Sequence, residues 1–122
     1  MITEDYVSFE IAKLLKEKGF RCATLHYYYD KDGDLLFSAG GVDAGKNEFV
    51  APTLQMAMKW LREVHGLHFW IAHKLKQNKG LPWYYEIHNI ETGTVVKIGD
   101  VVCGSYEVAC EAAIKYCLEK LI

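Results

Sequence analysis

Two spacings of apolar residues alternate along this chain. Val7, Ile11, Leu14 and Leu15 recur three and four positions apart, as on one face of a helix. Thr3 stands ahead of them as an N-cap, with Glu4 and Asp5 in the electropositive first turn. Gly19 offers a left-handed stop, and Phe20 can fold back on Leu15. These features predict a first helix over residues 4–18. A second stripe, Leu54, Ala57, Met58 and Leu61 widened by Trp60, opens after Pro52-Thr53 and stops at Gly66. A third, Cys110, Ile114, Cys117, Leu118 and Leu121, follows Ser105 as its cap.

Between the helices the period shortens to two. Residues 21–29, 35–39, 67–75, 83–90 and 94–102 read as five strands. Asp32-Gly33 and Thr92-Gly93 mark hairpin turns, residues 40–47 a glycine loop and residues 76–82 a polar turn. The predicted order is αββαβββα in a single α+β domain, residues 1–122. Short turns between successive strands imply one mostly antiparallel sheet, with all three helices packed on one face.

Strand alternation then assigns faces. With Leu25, Phe37, Phe69, Ile71, Ile87 and Ile98 turned to the helices, the opposite set is Thr24, His26, Tyr28, Ser38, His68, Trp70, Lys74, Tyr84, Glu86, His88 and Lys97. His68, Trp70, Glu86 and His88 should meet across one hairpin. Within that face His26, Tyr28, His68, Trp70, Tyr84, Glu86 and His88 form a candidate interaction surface, because aromatic and histidine side chains left uncovered by helices call for a partner. The bland alternative is a solvated face on which Tyr and Trp merely shield the sheet.

Composition narrows the partners. The chain has 122 residues, a quarter of them charged, and a net charge of −2. That size buries a core without a disulfide or metal, and that charge disfavours nucleic acid or a membrane held by bulk electrostatics. The acidic start, Met1-Ile2-Thr3-Glu4-Asp5, lacks a signal-peptide core, and no apolar run reaches a membrane span, so a cytoplasmic location is expected. Cys103, Cys110 and Cys117 lie seven apart. On a helix that is about 10 Å, too far for a disulfide or a shared metal, so small core residues are the expectation, with no metal and no cofactor.

Three stretches, MITEDYVSFEIAKLLKEKGF, PTLQMAMKWLRE and EAAIKYCLEKLI, together resemble a family of small uncharacterised proteins of gut Bacteroides-type bacteria and their phages or mobile elements. The resemblance covers the three helices and implies a cytoplasmic bacterial or phage setting. It assigns no functional residue.

Other motifs fail on spacing. Gly45-Lys46 approaches a phosphate loop, but Asn47 replaces the hydroxyl and the next helix starts too late. Asp30, Asp32 and Asp34 match the start of a calcium loop that then puts Leu35 where glycine belongs. The αβββα order after Ala51 is that of double-stranded RNA-binding domains, yet Glu107 and Glu111 open the last helix where phosphate would sit. The sequence therefore points to a non-enzymatic accessory protein that contacts another protein or its own copy through the sheet face. A small enzyme using His68, Glu86 and His88, and a nucleic-acid-binding module, are the rival expectations.

Overall fold

The computed structural model describes residues 2–29, 33–42, 48–73, 82–99 and 103–122. The backbone divides into two compact units, Met1–Ala57 and Met58–Ile122. Each contains its own three-stranded antiparallel sheet.

In the first unit, α1 (Phe9–Glu17) starts at Ser8, whose Oγ accepts the Ile11 N–H at 3.3 Å. The expected start at Thr3 is lost because residues 5–7 are held extended. Val7 N–H donates to the Pro52 carbonyl at 3.0 Å, and Asp5 O accepts from Leu54 N–H at 2.9 Å. Tyr6 bridges Thr53 between them. These backbone groups are therefore committed to an extended neighbour and not to a helical turn. The stop at Gly19 is as read: its φ is +94°, and Phe20 N–H closes on Leu15 O at 2.9 Å, the six-to-one bond of a Schellman end.

The sheet of this unit runs β2 (Leu35–Val42), β1 (Thr24–Tyr29), β3 (Glu48–Val50). This corrects the single sheet expected above. A two-stranded ribbon is marginal by itself. The chain instead supplies a sixth strand, β3, on the other side of β1, pairing Tyr27 with Val50 and Tyr28 with Phe49. Three residues are too few for alternation to register in the sequence. β2 also runs on to Val42, into the expected glycine loop.

Face assignment in β1 is corrected as well. Tyr28, expected outward, is 7% exposed. Its hydroxyl donates to the Val7 carbonyl at 2.7 Å, and its ring lies 5.5 Å from that of Phe9. The extended N-terminal segment and the start of α1 cover this face, so Leu25, of opposite parity and expected inward, is exposed; Phe37, also expected inward, pairs with His26 on the same face as Tyr28 and is exposed there.

α2 (Leu54–His65) runs from the first unit into the second, where β4 (Leu67–His73), β5 (Trp83–Asn89) and β6 (Thr94–Ile98) form the second sheet in that order. α3 (Tyr106–Tyr116) follows, capped by Ser105 Oγ on Val108 N–H at 3.1 Å and ending in a wider π turn, Cys117–Leu121. It packs on β4 and β5, whereas α1 packs beside β3. The three helices thus do not share one sheet face. Phe69, Tyr85 and Ile87 are buried in the second sheet, and Ala109, Cys110, Ala113 and Ile114 in α3.

A bulge reshapes β6. Ile87 pairs with Lys97 but His88 pairs with Val95, leaving Val96 without a partner in the ladder. Strict alternation had put Lys97 outward and Ile98 inward. The bulge reverses both: Lys97 reaches the α3 side, its Nζ 5.2 Å from the Tyr116 ring, and Ile98 lands opposite Glu86. Asp30, Asp32, residues 43–47 and Lys74 lie outside the described residues, and with them part of the expected Asp32-Gly33 turn, most of the glycine loop and all but Pro82 of the 76–82 turn. No described helix is long and apolar enough to cross a membrane.

Candidate interaction face

The β4–β5 ladder is regular, so side chains opposite one another share a face. His68 faces His88, Trp70 faces Glu86 and Ala72 faces Tyr84. These residues occupy the side of the sheet away from the buried Phe69, Tyr85 and Ile87. Trp70 also meets His88 on the diagonal, with ring centroids 4.9 Å apart and planes tilted by 38°. The Glu86 carboxylate stands 3.5 Å from Nε2 of His88. Among the described residues that enclosed nitrogen has no hydrogen-bond partner, and the carboxylate contact falls short of a bond of good geometry.

The bulge adds two residues that alternation missed. Val95 stands opposite His88 and Ile98 opposite Glu86. Trp70 is 57% exposed, Ile98 51% and Val95 50%. A hydrophobic band therefore borders a centre of two imidazoles and one carboxylate. The only sequence signal for this was the unbroken apolar pair Val95-Val96, which fits a bulge as readily as a buried strand.

The other two candidates, His26 and Tyr28, belong to the first sheet. Tyr28 is part of that unit's core. His26 lines a cleft of about 270 Å³ together with Tyr6, Cys22, Thr24, Pro52 and Met56. Its ring lies 4.1 Å from Tyr6 and 5.3 Å from Phe37. Sequence reasoning placed Tyr6 on a helix and so did not connect it with His26.

Among the described residues, no three His, Cys, Asp or Glu side chains are arranged to hold a metal ion. Among the described residues, Cys103, Cys110 and Cys117 are buried and form no disulfide, and Cys22 is exposed. Burial pushes the thiols up, that of Cys110 to about 11, with Glu107 and Glu111 adding to the shift, and that of Cys117 to about 12. Comparison with known proteins found no matching family, no matching curated protein and no matching solved structure.

Proposed function

We propose that this chain is a non-enzymatic interaction protein that self-associates through the open face of β4, β5 and β6. The observation carrying this reading is the exposure of Trp70 beside Val95 and Ile98 on one sheet face. Grouped apolar surface gains free energy when covered, at ~25 cal/mol per Å². The polar centre suits a second copy. A two-fold contact needs donors and acceptors on the same patch, and the imidazoles of His68 and His88 stand beside the Glu86 carboxylate. A three-stranded face of this length spans roughly 15 by 20 Å. That is well below the ~800 Å² per partner of a standard interface, so the contact is weak and concentration-dependent.

The resemblance of the helices supports a cytoplasmic bacterial or phage setting. The net charge of −2 and the acidic first turn of α3 argue against nucleic acid as the partner. The test is solution mass by light scattering at protein concentrations from about 10 µM to about 1 mM, bracketing the micromolar range of weak contacts. Wild type should approach the dimer mass at the upper end, and Trp70→Glu and Ile98→Lys should remain monomeric with unchanged circular dichroism. A wild-type monomer throughout would overturn the proposal.

A further inference from the structure

We propose that the cleft at the start of β1 is a binding site for a small, neutral, planar heteroaromatic molecule. It lies within the first unit and uses none of the residues of the second sheet, so it stands independently of the self-association reading.

The backbone builds the cleft. The β1–β2 register jumps between Thr24, which pairs with Val42, and His26, which pairs with Phe37. The first residues of β1 therefore depart from regular pairing with β2. Tyr6 is fixed nearby by its bridge to Thr53, and Ala51 N–H donates to His26 O at 2.9 Å. Both walls are thus tied to the segment 51–53 that follows β3.

Four properties select the ligand. The first is size. A volume of about 270 Å³ falls just below the ~300–1,000 Å³ of sites for drug-sized molecules, which fits one or two rings. The second is shape. The Tyr6 and His26 rings both line the cleft, with centroids 4.1 Å apart. A pair of rings in one wall accepts a further flat ring by offset or edge contact.

The third property is polarity. Thr24 Oγ1 donates to the His26 carbonyl, and Thr53 Oγ1 accepts from Met56 N–H at 3.1 Å. Those hydroxyls serve the fold. Among the described residues, no hydrogen bond engages the Tyr6 hydroxyl or the His26 imidazole, which leaves them for the polar edge of a heterocycle. The fourth is charge. Among the described residues no Asp, Glu, Lys or Arg lines the cleft, and an ionic ligand would be desolvated there without a counter-charge.

Indole serves as the probe, with cyclohexanol as an apolar, non-aromatic control of similar bulk. In wild-type protein, indole should give saturable NMR shifts at the His26 ring and Met56 methyl, with a Kd near the millimolar range, and cyclohexanol should not. Saturating indole should also slow alkylation of Cys22 by iodoacetamide several-fold. Tyr6→Leu, which removes a lining ring, should weaken binding several-fold, and Met56→Trp, which fills the cleft from its rim, should abolish it. Absence of saturable shifts in wild type would overturn the proposal, as would an equal response to cyclohexanol or shifts centred on Trp70 and His88. The wild-type titration decides even where a substituted chain fails to fold.

Discussion

A tyrosine hydroxyl buried in an apolar layer is tolerable only while it donates a hydrogen bond. Tyr28 does so to the Val7 carbonyl. Tyr28→Phe keeps the ring against Phe9 and strands that carbonyl, so urea denaturation should show a loss of about 1 kcal/mol. The cysteines give a second prediction at this scale. Cys110 and Cys117 hold their protons up to about 11 and about 12 when folded, and only up to about 9 when unfolded. A raised pKa means the folded state retains protons that the unfolded state releases. The contribution is therefore complete below pH 9 and is lost as pH rises towards the folded values. The melting temperature should fall between pH 9 and 11, and less steeply after Cys110→Ala and Cys117→Ala together. An unchanged slope would contradict this. At neutral pH a thiol reagent should modify Cys22 rapidly and the three buried thiols only upon unfolding.

Helix ends and strand partners are where sequence and structure part. Ser8→Ala removes the observed cap of α1 and should cost about 1 kcal/mol, whereas Thr3→Ala should stay within ~0.5 kcal/mol. Equal effects in chemical denaturation would restore the longer helix. Gly99 tests the close approach of β6 to β5. A Cβ there would stand 2.5 Å from Cε1 of the buried Tyr85 ring, so Gly99→Ala should cost roughly 1–3 kcal/mol. The helix stripes, the Gly19 stop, the Ser105 cap and the β4–β5 hairpin were legible because each is written in local spacing. β3 was not, because three residues carry no period. The facing of Tyr28 was not, because Leu25, Tyr27 and Tyr29 are as apolar as their neighbours and the deciding partner, Val7, is distant in sequence. In the candidate site, His68, Trp70, Tyr84, Glu86 and His88 followed from alternation. Val95 and Ile98 did not, because a bulge changes parity without changing composition.

At the scale of the whole molecule, two sheets mean two central strands. β1 is paired on both sides in the first unit and β5 in the second. Amide hydrogen exchange should find its slowest strand positions in β1 and β5, with β2 and β6 faster. A single slow strand would speak against two separate cores. The bulge in β6 has a consequence at this scale too. One residue, Val96, stands outside the ladder. If the ladder continued from the His88–Val95 pair without it, Lys97 would face Glu86 across the strands and Ile98 would turn inward. The same amino acids would then present a cation–carboxylate pair where they now present an aliphatic side chain. Whether the molecule shows its neighbours grease or charge is thus held in a one-step difference of strand alignment. A lineage could gain or lose adhesiveness at this surface by shifting that alignment, without exchanging any residue of the face itself.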